Sequence, residues 1–172
     1  MKVDNFTEIL SDIEFQMNIN HMLDNSINIF KSLNNGNNNV VIGGSLSLAI
    51  HGLNLHTIPK DVDMIIYSPS KQQIEILKVL SIFSEKNPVT NTYQRRSFKI
   101  KVNDIYIDII VEHKKTIPNN LLILKHNNCE FKIQSIKNVF QARKEYVEHN
   151  QNIRVKDYIS TIKLKELNFN IQ

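Results

Sequence analysis

Asp61 and Asp63 stand two residues apart in 60-KDVDMII-66, and a third carboxylate, Asp108, lies inside 104-DIYIDIIVE-112. On a strand, alternate residues share a face, so Asp61 and Asp63 point one way while Val62 and Met64 point the other. In the later segment Ile105, Ile107, Ile109 and Val111 form an apolar face, opposite Tyr106, Asp108, Ile110 and Glu112. Carboxylates crowded on one face repel each other and are costly to bury unless a cation lies among them. Hard oxygen ligands suit magnesium or manganese better than zinc. Asp61, Asp63 and Asp108 are therefore the expected metal ligands and the expected catalytic residues. For Asp108 taken alone, the competing reading is a solvated carboxylate on a wet sheet face.

The chain has four glycines, and two of them, Gly43 and Gly44, are adjacent in 40-VVIGGSLSLAI-50. A backbone without Cβ atoms lets amide N–H groups come close to phosphate oxygens, and a helix opening at Ser45 would turn its positive end toward them. Gly43, Gly44 and Ser45 are the expected nucleotide-binding residues, with the Ser45 hydroxyl as a further hydrogen-bonding group. A phosphate cradle beside three carboxylates is the apparatus of nucleotidyl transfer. There, one metal ion activates an attacking hydroxyl and a second neutralises the departing pyrophosphate.

Elements of mixed type must position these residues. Apolar periodicity predicts helices over 6–17 and 20–33, the second ending at NNGNNN, whose residues tolerate the positive φ of a helix C-terminus. A short strand over 40–42, a helix from Ser45 to about 52 capped by Ser45 itself, and a strand over 62–67 follow. Ser70 and Gln73 form a capping box for the next helix, whose expected core face is Ile74, Leu77, Val79, Leu80 and Ile82. Residues 93–102 and 105–111 read as a hairpin turning at Asn103-Asp104. Short strands at 121–123 and 131–133 precede helices at 135–149, capped by Ser135, and 155–167, and 114–120 is an exposed loop. The expected class is α/β (α+β), a mixed sheet flanked by helices in one domain. N-terminal helices (1–35), a core (38–134) and C-terminal helices (135–172) make up that domain.

Composition bounds the function. No apolar run approaches the roughly 20 residues of a membrane span, and the N-terminus carries early acids without an apolar signal segment. A lone cysteine, Cys129, excludes an intramolecular disulfide and fits a reducing, cytoplasmic setting. The six histidines show no zinc-site spacing; His51 and His56 read as turn and surface residues near the presumed phosphate site. The net charge of +4 is uneven: Lys/Arg minus Asp/Glu is 6 − 9 = −3 through residue 94 and 15 − 8 = +7 beyond it. The basic half suits an anionic macromolecular partner, RNA among them, although lysines solvating helix faces would give the same count. Arg95-Arg96 reads equally as an acceptor contact or a solvated pair.

On these residues the chain resembles the nucleotidyltransferase superfamily of the DNA polymerase β type. Within it, VVIGGSLSLAIHGLNLHTIPKDVDMII is most similar to the small prokaryotic and phage branch, with its AbiEii/MenT toxin-like and minimal transferases. Ala49, His51-Gly52 and Lys60 match that branch's pattern, although the connection from Ser45 to Asp61 is longer and an arginine common before the Asp-x-Asp motif is replaced by His56 and Lys60. The resemblance is clearest over 40–112, and the tail resembles the family's C-terminal helices. It implies the nucleotidyltransferase fold, with Gly44 and Ser45 on the triphosphate and Asp61 and Asp63 on magnesium or manganese. Asp108 would complete the metal site and receive the acceptor's proton. Lys144 would reach a phosphate, and Lys156-Asp157 would face the site. The implied reaction moves an NMP from an NTP to a hydroxyl of RNA, tRNA, a protein or a small molecule, in the cytoplasm and away from membranes. The alternatives are a binding module on the same fold that has lost turnover, and an antitoxin-like regulator whose main partner is another protein.

Overall fold

The computed structural model describes residues 3–53, 58–82, 96–113, 115–149, 153 and 155–169. It is an α+β arrangement: a six-stranded mixed sheet flanked by helices. In chain order the elements are α1 (Val3–Asn34), β1 (Val40–Gly43), α2 (Gly44–Ile50), β2 (Asp61–Tyr67), α3 (Lys71–Ile82) and β3 (Arg96–Val102). They continue with β4 (Ile105–Glu112), β5 (Leu121–His126), β6 (Cys129–Gln134), α4 (Ile136–His149) and α5 (Val155–Phe169). Across the sheet the order is β3-β4-β2-β1-β6-β5. The three sequential neighbours (β1–β2, β3–β4, β5–β6) pair antiparallel, and the two crossover pairs (β2–β4, β1–β6) run parallel.

One sheet face is dry. Val62, Met64, Ile66, Ile107 and Ile109 bury it against Ile19, Met22, Leu23, Phe30 and Leu33 of α1, and the Phe30 and Phe131 rings meet at 4.7 Å. The same alternation sends Asp61, Asp63 and Asp108 to the opposite face. A smaller cluster of Leu48, Val139 and Leu164 joins α2, α4 and α5.

The expected break in the N-terminal helices is absent: α1 is one continuous helix. No glycine or proline interrupts it near residue 18, and an asparagine inside a helix costs only a few tenths of a kcal/mol relative to better formers, about 0.7 at most. Ile19 is instead a buried contact. Ile13 and Met17 are exposed. Farther along, the polar face of α1 grips both hairpin turns. Asp24 accepts from His126 Nε2 (2.7 Å) and Asn127 Nδ2 (2.6 Å), while His21 Nε2 lies 3.0 Å from Asp104 Oδ1. The β5–β6 turn has both Asn127 and Asn128 at positive φ, as a tight two-residue hairpin requires, whereas at Asn103-Asp104 it is Asn103 that does so. Both strands of that second hairpin run longer than expected, to His126 and from Cys129.

The capping box at α3 forms as expected: Ser70 Oγ accepts from the Gln73 N–H (3.2 Å) and Gln73 Oε1 from the Ser70 N–H (2.9 Å). The core face of α3 is rotated, however. Gln73, Ile76, Leu77 and Leu80 turn inward, while Ile74, Val79 and Ile82 are exposed. The reason is Gln73, which is fully buried and donates Nε2–H to the Leu33 carbonyl (2.7 Å) and to Asn39 Oδ1 (2.6 Å). This knot ties the end of α1, the entry to β1 and the start of α3. Gln73→Leu is therefore expected to cost about 2–4 kcal/mol in urea unfolding, because the Leu33 carbonyl and Asn39 amide stay buried without their partner. A loss below about 0.5 kcal/mol, the range of an ordinary surface change, would show that the knot adds no stability. Ser135 caps α4 as expected, accepting from the Asn138 N–H at 3.2 Å. The Tyr93–Arg95 end of the expected hairpin strand lies outside the described residues.

Candidate active site

The three aspartates converge because of strand register. In the parallel β2–β4 pair, Asp63 stands opposite Asp108 and Asp61 opposite Tyr106. β1 brings Gly43 opposite Asp63, and β3 brings Lys99 opposite Asp108. The cluster therefore spans four adjacent strands, with α2 starting at its edge.

The glycine pair is explained first by these neighbours. Gly44 has φ +61, a left-handed conformation, and a Cβ there would collide with Asp63 Oδ2. A Cβ on Gly43 would lie 2.5 Å from Gln134 Oε1 and 2.8 Å from Ile65 Cδ1. The Asp63 carboxylate thus rests directly on the Gly44 backbone. The expectation that Ser45 caps its own helix fails: α2 starts one residue earlier, at Gly44, with Gly43 as its N-cap and no side-chain cap. The Ser45 hydroxyl instead accepts a hydrogen bond from Arg143 Nη2 (3.2 Å), whose Nη1 donates to Ser160 of α5.

Lys99 is the cation among the carboxylates. Its ammonium lies 3.3 Å from Asp61 Oδ2 and 3.2 Å from Asp108 Oδ2. Burial alone would depress the Lys99 pKa, but the charges of Asp108 and Asp61 outweigh it and hold the pKa above the usual lysine value. Asp63 fares differently. Burial, then the charges of Asp61 and Asp108, push its carboxyl up to about 7, against the opposing pull of Arg143 and Lys99. Three carboxylates here are more negative charge than two nearby cations relieve. Beside them, Lys99 and Lys101 approach the Tyr106 ring at 5.5 and 5.4 Å from its centre.

No protein-family model, curated protein or solved structure matches the chain.

The chemistry of the cluster is thus read from its own residues. Asp61, Asp63 and Asp108 offer hard anionic oxygens on neighbouring strand positions, a donor set that suits magnesium or manganese. As they stand, no group of three or more His, Cys, Asp or Glu side chains among the described residues is gathered to hold a metal ion. Asp61 and Asp108 are turned to Lys99.

Sequence reading missed two members, Lys99 and Arg143. Lys144, expected at a phosphate, is exposed on α4 and lies 3.8 Å from Glu148, while its neighbour Arg143 reaches Ser45. One residue along a helix turns a side chain by about 100°. His51 is a structural residue, its Nε2 2.9 Å from the Gln134 carbonyl oxygen. His56, Arg95 and the side chains of Arg96, Lys156 and Asp157 lie outside the described residues. A groove of about 520 Å³ between the end of α1 and the β5–β6 hairpin, lined by Phe30, Lys31, Ile123 and Lys132 among others, shares no residue with the carboxylate cluster. Among the described residues, no helix is long and apolar enough to cross a membrane.

Proposed function

We propose that the chain is a metal-dependent nucleotidyltransferase of the DNA polymerase β type, moving an NMP from an NTP to a hydroxyl of a macromolecular acceptor, RNA or protein. One observation carries the reading: Asp63 and Asp108 are register partners on parallel strands and share a face with Asp61, and Asp63 abuts the left-handed Gly44 that opens α2. Asp61, Asp63 and Asp108 would hold magnesium or manganese. When bound, the ion supplies positive charge that activates the attacking oxygen and offsets the charge of the leaving pyrophosphate.

The residues of the chain divide the remaining work. The Ser45 hydroxyl and the Arg143 guanidinium, already joined, form a donor pair for triphosphate oxygens. The acceptor oxygen bonds to the α-phosphorus, the bond from that phosphorus to the bridging oxygen breaks, and Asp108 receives the acceptor's proton. The basic balance of the chain beyond residue 94 favours an RNA acceptor.

The experiment is label transfer from each of the four α-labelled NTPs to total RNA and to lysate protein, with magnesium or manganese. Label in one acceptor class, reduced at least about 10³-fold in Asp61→Ala/Asp63→Ala, is the expected result, several kcal/mol of transition-state stabilisation being at stake. A second reading, a binding module without turnover, is favoured by the Lys99 ammonium bridging two of the three carboxylates. Mg-NTP binding with no transfer to any acceptor would select it over the enzyme.

A further inference from the structure

The lysine in the carboxylate cluster has a geometry that a surface ion pair does not need. Its ammonium spans two aspartates from different strands, within 3.3 Å of an oxygen of each, and its side chain is 29% exposed. The pairing is built into the register, since Lys99 is the β3 residue directly opposite Asp108. An ammonium and a divalent cation compete for the same two carboxylates, because their charges repel at such close range.

We propose that Lys99 is the resting counter-ion of the cluster and that a divalent cation binds only by displacing it. This rests on the reading of Asp61, Asp63 and Asp108 as metal ligands. Without the ion, Lys99 keeps Asp61 and Asp108 from repelling each other out of position. The displaced ammonium keeps a neighbour beside the cluster: it already lies 5.5 Å from the centre of the Tyr106 ring, opposite Asp61 in the sheet, whose cation-attracting face it shares with Lys101 at 5.4 Å. From there Lys99 stays beside the cluster as a positive charge for a phosphate. Metal alone therefore binds weakly, and a nucleotide that accepts the released ammonium strengthens metal binding. The two ligands are coupled through one side chain.

The test is Mn²⁺ binding, read from the loss of the free-ion electron paramagnetic resonance signal at neutral pH without nucleotide. Wild type is compared with Lys99→Met, Lys99→Gln and Lys99→Arg. Removing the competing charge is expected to tighten Mn²⁺ binding at least about tenfold in Lys99→Met and Lys99→Gln, whereas Lys99→Arg keeps wild-type affinity or weakens it. In chelator both neutral variants should melt below wild type, and Mn²⁺ should close that gap. Two neutral substitutions guard against one that fails to fold. If wild type binds Mn²⁺ and neither neutral variant binds it more tightly, the exchange is wrong while the metal site stands. If no protein binds Mn²⁺ even with an NTP present, the metal reading falls and the exchange falls with it.

Discussion

Metal-free Asp63→Asn is expected to be more stable than the wild-type protein above neutral pH and to have lost nucleotidyl transfer. In the fold the Asp63 carboxyl is pushed up to about 7 by burial and by the charges of Asp61 and Asp108. In the unfolded chain it titrates near its ordinary value of about 3.9. The sign follows from linkage: a carboxyl raised in the fold binds its proton more tightly there. Its favourable contribution is present below about pH 4, is lost as pH rises from about 4 to 7, and stays lost above. Three units correspond to about 4 kcal/mol as an upper bound, and the partial exposure of Asp63 lowers the expectation to about 2 kcal/mol. Asparagine keeps the shape without the charge, so its advantage should grow between about pH 4 and 7 and level off by about pH 8. Chemical denaturation across that range, with chelator present, reads it directly. Mn²⁺ should then raise wild-type stability and leave the variant unchanged, because the destabilised carboxylate is the one the ion relieves. A wild-type protein whose advantage over Asp63→Asn instead increases toward high pH would mean that the carboxylate is well solvated or well paired. The crowded cluster would then be no reservoir for metal binding.

Much of this arrangement was legible in the sequence, and what was not has physical causes. Alternation alone predicts that Asp61 and Asp63 share a face and that Asp108 opposes an isoleucine face, because side-chain direction on a strand is local. The position of Lys99 could also have been read. A two-residue turn at Asn103-Asp104 makes Val102 pair with Ile105, and counting back three residues along one strand and forward three along the other brings Lys99 to Asp108. The parallel register of Asp63 with Asp108 could not be counted this way. The two strands are joined through α3 and β3, so their offset is set by packing against α1 rather than by a turn. For Arg143 the signal was the apolar stripe: Val139 is buried, and four residues on is the same helix face. Lys144 instead shares its face with Glu148. The α3 error came from reading Gln73 only as a capping-box residue, when its amide is also the buried knot that fixes which way the helix turns.

Gly44→Ala is expected to destabilise the protein by about 3–4 kcal/mol, and most of that loss should disappear when Asp63 is also removed. Two causes act at this position. An alanine at φ +61 costs roughly 1–2 kcal/mol for the left-handed backbone alone. Its Cβ would also collide with Asp63 Oδ2 and lie 2.7 Å from Asp63 Cγ, and that carboxylate cannot retreat toward Asp108, whose like charge stands across the strand pair. Overpacking of this kind adds about 1–3 kcal/mol. Gly36 separates the two causes. It also has positive φ, +71, but a Cβ there meets nothing within 4 Å, so Gly36→Ala should show the backbone cost alone. A double-mutant cycle of Gly44→Ala with Asp63→Ala, measured by urea unfolding at fixed pH, should give a favourable coupling of at least about 1 kcal/mol. Relative to Asp63→Ala alone, the double variant should then lose only what Gly36→Ala loses. If Gly44→Ala costs no more than Gly36→Ala, the Asp63 carboxylate has room to move, and contact with it is not what requires a glycine there. The glycine pair would then have to be explained from the other side, by what approaches its backbone from the crevice.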